Sequence, residues 1–164
     1  GICVAVVCVS IFILGFRQKN LISITCLDIG QGDGIVIQLP GGKTVMVDGG
    51  SSSKKKVASY QILPYLKNQG ISVVDAMLIS HTDLDHISGV QELLTLKEKH
   101  LTTLRIKNLL LPDWKAPEEV YYELEEQAKR CGISVLRLHQ GQNCGLGMAL
   151  WKSCRQRQVR RGRM

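Results

Sequence analysis

The segment from His81 to His86 constrains this chain most, because two histidines and two aspartates fall within six residues directly after an apolar run. That run, Val73 to Ile79, is typical of a strand covered on both faces. A strand end fixes the backbone, and the turn after it lets His81 and both aspartates project to one side while His86 enters the next helix. The sequence therefore predicts a cluster of nitrogen and oxygen donors at the rim of a sheet.

Imidazole nitrogen and carboxylate oxygen suit zinc, manganese or iron(II), and a cluster without cysteine is unlike a structural zinc site. We therefore predict a catalytic metal centre whose ligands are His81, Asp83, Asp85 and His86. The alternative is that Asp83 or Asp85 caps the helix that starts near Ile87. A cap would leave both histidines unexplained.

The rest of the pattern predicts an α/β layered fold. Short β-rich runs separated by turn residues extend from Leu21 to Val47 and predict a strand meander. Helical spacing then runs from Val57 to Leu66 and ends at Gly70. After the donor cluster, helix, strand, helix and strand follow at Val90 to Leu96, Ile106 to Leu111, Pro117 to Arg130 and Ile133 to Leu138. Alternating strands and helices after a meander are typical of α/β layers.

The chain begins with an apolar segment, residues 1–16, which contains no charged side chain and is followed by Arg17 and Lys19. We interpret it as a partial transmembrane helix, shorter than the roughly 20 apolar residues that a full span needs. A signal-peptide core is the alternative, but no basic segment precedes the run and no small-residue cleavage site follows it.

The formal net charge of +7 is concentrated in residues 151–164, which contain six basic residues and no acid. The rest of the chain is nearly neutral, so net charge alone does not predict a polyanion partner. The tail also breaks the α/β pattern. We interpret it as an aberrant basic segment that results from a reading-frame error, rather than as a nucleic-acid-binding tail.

Other functional patterns are weak. The glycine-rich stretch from Gly30 to Gly34 could cradle a phosphate, but no helical pattern follows it and the lysine and hydroxyl pair of a P-loop is missing. His100 and His139 have no partner at ligand spacing and are expected to be ordinary packed or solvated histidines. The six cysteines form no C-x-x-C pair, so we expect unpaired thiols rather than a disulfide framework.

Three stretches resemble, in order, the metallo-β-lactamase-like domain of ComEC-type competence proteins: Leu27 to Asp33 (LDIGQGD), Val45 to Gly50 (VMVDGG) and Ser80 to Gly89 (SHTDLDHISG). Those are bacterial inner-membrane channel proteins for DNA uptake. The resemblance implies an αββα sandwich over residues 21–150, incomplete in its C-terminal half, with the apolar segment in the place of the last membrane span. It also implies location at the inner (cell) membrane, with DNA, the membrane and the rest of the channel protein as partners.

The resemblance also assigns roles to the donor cluster. The wider superfamily has the metal motif H-x-H-x-D-H, and here the second histidine position holds Asp83, a form common in ComEC-like domains. Carried over, His81 and Asp83 share one metal, and Asp85 and His86 share the other. Two divalent ions, manganese or zinc, are therefore expected, and the additional oxygen ligand favours the harder ion. Asp85 and Asp48 are the expected catalytic residues.

By the same resemblance, Asp28, Gln31 and Asp33 look like a signature loop near the site, although a tight hairpin that needs glycine would give the same pattern. The implied activity is metal-dependent hydrolysis of phosphodiesters in incoming DNA. Two alternatives remain: a small-molecule hydrolase of the same superfamily, and a non-catalytic remnant. The remnant stays open because only two further histidines, His100 and His139, follow the cluster.

Overall fold

A computed structural model describes residues 2–15, 21–113, 119–139 and 141 of the chain. Strands and helices alternate along it, and the predicted α/β class is confirmed. In chain order the elements are α1 (Ile2–Gly15), β1 (Ser23–Cys26), β2 (Gly34–Leu39), β3 (Lys43–Asp48), a π-helical segment (Ala58–Ile62) that continues into α2 (Leu63–Asn68), β4 (Val73–Val74), β5 (Ala76–Leu78), α3 (Leu84–Glu98), β6 (Arg105–Ile106), β7 (Asn108–Pro112), α4 (Glu119–Arg130) and β8 (Ser134–Leu138).

Six strands form one sheet in the order β1-β2-β3-β5-β7-β8, and β4 pairs with β6 in a second, two-stranded sheet. The first three strands are antiparallel neighbours, as the predicted meander requires. The next three join β3 in parallel. The carboxyl ends of four parallel strands therefore lie at the same edge of the large sheet, where α/β proteins commonly bind ligands.

The described helices after α1 pack on one face of this sheet. A buried cluster that includes Met46, Met77 and Leu93 joins the strands to the π-helical segment and to α2, α3 and α4. The opposite face carries a smaller cluster around Val45 and Leu110, and only strand residues contribute to it. Among the described residues the architecture is thus a six-stranded sheet with helices on one face, beside the short two-stranded sheet of β4 and β6.

The prediction of a single strand from Val73 to Ile79 was wrong, because Asp75 divides the run into strands of two different sheets. The Asp75 carboxylate is buried. It accepts hydrogen bonds from the Thr44 backbone N–H at 3.0 Å, from Lys43 Nζ at 3.3 Å and from Lys107 Nζ at 2.6 Å. Lys107 in turn separates β6 from β7, which were also predicted as one strand.

The apolar segment at the start forms a helix, α1, with exposed valines. In the part of the chain that the structure describes, no helix combines the length and apolar character needed to cross a membrane. The transmembrane assignment of residues 1–16 is therefore not supported. The four described cysteines, Cys3, Cys8, Cys26 and Cys131, are free thiols, as predicted. The predicted basic tail, residues 151–164, and the predicted helix start at Pro117 lie outside the described residues.

We expect Asp75→Asn to lower the free energy of unfolding by about 2 kcal/mol at neutral pH, because hydrogen bonds to a charged group contribute about that much each and the lysines are partly exposed. Burial raises the pKa of Asp75, but hydrogen bonds from Lys107, Thr44 and Lys43 outweigh burial and hold its pKa below the usual value.

The sign of the pH dependence follows from that lowered pKa. Asp75 stabilises the fold fully above the pKa of an unfolded aspartate, and this contribution disappears as pH falls through the lower folded value. Urea denaturation at neutral and acidic pH should therefore show a smaller acid-dependent loss in Asp75→Asn than in the parent chain. Glu123→Gln, at an exposed acid on α4, is the control. Equal urea midpoints for parent and variant at neutral pH would contradict the prediction.

Candidate metal centre

Three turns meet at the carboxyl edge of the sheet, and backbone hydrogen bonds join them. The Asp33 N–H donates to the Asp85 carbonyl oxygen at 3.1 Å, and the Gly50 N–H donates to the Asp33 carbonyl oxygen at 3.2 Å. The Gly49 N–H donates to the His86 carbonyl oxygen at 2.9 Å. The turn before β2, the turn after β3 and the first turn of α3 are therefore held as one unit.

Glycine permits this close approach of backbone to backbone. A Cβ atom on Gly32 would lie 2.1 Å from the Gly50 carbonyl oxygen, and φ at Gly32 is +156°. A Cβ atom on Gly50 would lie 2.4 Å from the Ile87 nitrogen. Gly89, on α3, would meet the Gly49 carbonyl oxygen at 2.1 Å. Larger residues at these positions would push the three turns apart.

His86 lies at the centre of the site and is buried in the first turn of α3. Its Nδ1 lies 3.1 Å from Asp48 Oδ2. Its Nε2 lies 3.5 Å from Asp33 Oδ2 and 3.7 Å from Asp85 Oδ2. Because the Asp48 carboxylate can only accept, the Nδ1 of His86 carries a proton, and in a neutral imidazole Nε2 then holds the lone pair.

Asp48 lies at the end of β3, beneath the other acidic residues of the site, and is only 4% exposed. Its Oδ1 accepts from the Ser80 N–H at 2.7 Å, and its Oδ2 accepts from the Ser80 hydroxyl at 2.7 Å as well as from His86. Its φ of +53° is in the left-handed region, which aspartate tolerates better than most residues. Both carboxylate oxygens are thus engaged inside the protein.

His81 and Asp83 form the more exposed half of the site. Nε2 of His81 lies 3.4 Å from Asp83 Oδ2, and these side chains are 39% and 73% exposed. Nδ1 of His81 lies 2.9 Å from the Ser80 hydroxyl, whose proton points to Asp48, so His81 is the donor in that contact. The centroids of the two imidazole rings, His81 and His86, are 3.6 Å apart.

The capping alternative is not seen for Asp83. It occupies the N-cap position of α3, but its side chain makes no capping hydrogen bond. Asp85 lies in the first turn with its carboxylate near His86. The helix begins at Leu84, six residues before the predicted start at Val90, because its first turn is held by the hydrogen bonds from the two neighbouring turns.

Two histidine–aspartate pairs, His81 with Asp83 and His86 with Asp85, have nitrogen and oxygen donors that suit a divalent cation. In the neutral form of each imidazole, with Nδ1 as the donor, Nε2 holds the lone pair, and it faces a carboxylate oxygen at 3.4 to 3.7 Å. Two lone pairs facing each other repel unless a proton or a cation lies between them. Donor atoms around a four-coordinate zinc with bonds of about 2.1 Å are separated by about 3.4 Å. Within the described residues, however, no group of three or more histidines, cysteines or acids is placed to hold a metal ion.

The three residues of the predicted signature loop, Asp28, Gln31 and Asp33, differ in how they contact the site. Asp33 faces His86, as described above. Gln31 acts through its backbone, which accepts from Ser51 and Ser52 and donates to the Ser53 hydroxyl at 2.8 Å. Asp28 pairs with Lys54 instead of a site histidine, and the hydrogen bond and charge of that lysine lower the pKa of Asp28.

Sequence reasoning gave no role to Ser80, which links Asp48 to both histidines. Its position between an apolar strand and His81 is the signal that could have revealed it.

The sequence also gave no partner to His139. Its Nδ1 lies 2.6 Å from Asp113 Oδ2, at the adjoining ends of β8 and β7. His100 is exposed after α3, with φ of +57°.

Residues 27–129 match the family model described as the metallo-beta-lactamase superfamily, and the chain belongs to that superfamily. It is similar to Recombination protein 2 of Haemophilus influenzae, 34% identical over 92 residues, which cover 56% of this chain and 11% of that protein. It is also similar to ComE operon protein 3 of Bacillus subtilis, 26% identical over 151 residues, or 82% of this chain and 19% of that protein. These relatives confirm the predicted resemblance to ComEC-type competence proteins.

The chain spans under a fifth of the length of either of these curated relatives. Among solved structures, it is similar to a diphosphatase from the PhnP family, with a TM-score of 0.45 and 19% identity, over 71% of this chain and 41% of that one.

We expect Gly50→Ala to lower the free energy of unfolding by about 3 kcal/mol or more, because the added methyl group would overlap the backbone of α3 and overpacking typically costs 1–3 kcal/mol. The control is Gly70→Ala, where no atom lies within 4 Å of the added Cβ and only φ of +66° is unfavourable. That strain costs about 1–2 kcal/mol. Chemical denaturation of both variants measures the difference. If Gly50→Ala is no more destabilising than Gly70→Ala, the three turns do not depend on close contact.

Proposed function

We propose that this chain is a metal-dependent phosphodiesterase domain of a DNA-uptake protein. One observation carries the proposal: the buried contact between Asp48 and His86 leaves Nε2 of His86 facing two partly exposed carboxylates, Asp33 and Asp85. That arrangement brings a fixed imidazole and two acidic side chains together at a solvent-accessible edge of the sheet. Membership in the metallo-beta-lactamase superfamily, which typically binds divalent metals, supports it.

Under this proposal, His81 and Asp83 hold one cation, and Asp85 and His86 hold the other. The two pairs have Nε2 to Oδ2 distances of 3.4 and 3.7 Å. The cations would supply Lewis acidity to the phosphodiester and lower the pKa of a water molecule. Asp85, an expected catalytic residue, is 40% exposed and is the candidate general base, since its side chain can reach solvent.

For Asp48 the contacts favour a positioning role over the predicted catalytic one. Its oxygens accept from Ser80 and His86, and it is too buried to meet a substrate. Carboxylates that accept from the second nitrogen of a ligand histidine fix its ring orientation and raise its basicity. Asp48 would therefore act through His86 and Ser80.

DNA is the proposed substrate because of the two relatives, of which one is named as a recombination protein and the other as a product of the ComE operon. Both are far longer than this chain, so uptake itself is proposed only for a larger protein of that kind. A second candidate, a non-catalytic remnant of the domain, is favoured by one observation: although His86 faces Asp33 and Asp85, no three of the described histidines, cysteines and acids are placed so that they could hold one metal ion.

We expect the chain to bind manganese and to nick DNA in its presence, and His81→Ala and Asp85→Ala to lower the nicking rate by about 100-fold or more, as loss of metal or general-base catalysis does. Metal content of the purified chain and conversion of supercoiled plasmid to open circles are the measurements. Normal nicking in both variants would contradict the assignment. A chain that binds at most about one manganese ion weakly and does not nick DNA would support the remnant.

The same assays separate positioning from catalysis. Asp48→Asn keeps the size of the side chain but weakens the contact to His86, and outer-shell changes of this kind cost about 10–100-fold in metal affinity. We expect manganese affinity to fall in that range, with nicking partly restored at high manganese. Asp85→Ala should not be rescued in this way if Asp85 is the general base. Equal behaviour of the two variants would argue against the distinction.

We further propose that α1 associates with a membrane, since this helix has no charged residue and its valines are exposed. Such a helix in water exposes apolar surface that lipid would cover. The chain should float with phospholipid vesicles in a density gradient, and deletion of residues 2–15 should leave it at the bottom. Flotation that does not depend on these residues would contradict the proposal.

A further inference from the structure

The loop after β3 contains three consecutive lysines, Lys54 to Lys56, and it begins at Gly49 and Gly50, whose N–H groups donate to His86 and Asp33 of the candidate metal centre. Hydrogen bonds fix its first half. The Ser51 N–H donates to the Ser88 hydroxyl at 2.8 Å, and the Ser52 N–H donates to the Gln31 carbonyl oxygen at 2.8 Å. Gln31 lies two residues before Asp33, which faces His86. The loop is therefore part of the unit that forms the site.

The second half of the loop is fixed by α3. Glu92 accepts from the backbone N–H groups of Ala58 and Ser59, at 2.9 and 3.3 Å, at the start of the π-helical segment. Lys56 itself has φ of +55°, in the left-handed region that residues other than glycine seldom adopt. The backbone that carries the lysines is thus anchored on both sides, by the Gln31 turn and by Glu92 of α3.

The three lysines differ in their partners. Lys54 is bound to Asp28, with its Nζ 3.0 Å from both the carboxylate and the carbonyl oxygen of that residue. Lys55 and Lys56 are exposed, and within the described ranges no carboxylate lies in ion-pair distance of either one. Among the described residues, Lys55 and Lys56 thus carry two exposed positive charges without a paired carboxylate.

The site beside them is acidic. Asp33, Asp83 and Asp85 are 63%, 73% and 40% exposed, and Asp48 is buried beneath them. Carboxylates repel the phosphates of an approaching nucleic acid, so binding requires positive charge near the edge of the site. Lysine ammonium groups attract phosphate as point charges and do not need a fixed pairing geometry.

We propose that Lys55 and Lys56 bind backbone phosphates of a nucleic-acid strand whose reacting phosphodiester lies at the metal centre. This inference rests on the proposed function and adds to it the surface along which the substrate lies. The contact is to phosphates and is therefore independent of base sequence. A strand bound here extends from the lysines across the Gln31 turn to the site.

The test is a pair of double variants with equal changes in charge. Lys55→Gln/Lys56→Gln removes the proposed contacts. Lys67→Gln/Lys99→Gln is the control, because both residues are exposed and lie at the C-terminal ends of α2 and α3, with Lys99 at the opposite end of α3 from the site. Binding of a labelled 30-nucleotide strand and of its duplex is measured over a series of salt concentrations in the presence of a chelator.

We expect the plot of log affinity against log salt to become shallower by about 1.4–1.8 for the first pair, since each of the two phosphate contacts contributes a slope of about 0.7–0.9. The control pair should retain the parent slope. In the nicking assay, Lys55→Gln/Lys56→Gln should raise KM without changing kcat, and its manganese content should equal that of the parent chain.

Equal slopes for the parent chain and Lys55→Gln/Lys56→Gln would overturn the inference, as would an equal loss in both double variants. Loss of binding to vesicles containing phosphatidylserine, with DNA binding unchanged, would overturn it as well and assign the lysines to a membrane surface. If the slope changes as expected but no variant or parent chain nicks DNA, the proposed catalytic function fails while the binding surface stands.

Discussion

The buried carboxylate of Asp48 is the contact on which the rest of the site depends. A buried ionised group is tolerated only when hydrogen bonds satisfy its oxygens. Ser80 and His86 satisfy them, and each comes from a different segment: Ser80 follows β5 and His86 is in the first turn of α3. Satisfying one charge at the end of β3 therefore fixes a strand end and a helix start at the same time.

Close backbone packing and sheet topology act together with this contact. Parallel pairing of β3 with β5 places the ends of these strands side by side. Gly32 and Gly50 then allow the turn before β2 and the first turn of α3 to approach within backbone hydrogen-bond distance. Sheet pairing and close backbone packing thus bring the three turns that carry the donors to one edge of the sheet.

Sequence reasoning succeeded where a local pattern determined the outcome. The antiparallel meander, α4 and the position of the donors after a strand follow from turn residues, periodicity and residue type. Sequence reasoning failed where contacts with residues far away in the sequence determine the structure. Asp75 divides an apolar run because Lys43 and Lys107, 32 residues away on either side, bind its carboxylate. The role of Ser80 likewise depends on Asp48, also 32 residues away, and no local pattern in the sequence records that contact.

The two halves of the candidate centre differ in how far they are preorganised. His86 is buried, and the charge of Asp48 fixes both its ring and its protonated nitrogen. His81 and Asp83 are more exposed, and Nδ1 of His81 contacts the neutral Ser80 hydroxyl rather than a buried carboxylate. Ordering an exposed side chain costs conformational entropy, and less remains to be lost where packing already restricts the side chain. The half of the site that contains His86 is thus ready for a ligand, whereas the half that contains His81 must still be ordered when a ligand binds. This difference follows from the burial of Asp48, which contacts His86, and from the exposure of Asp83, which contacts His81.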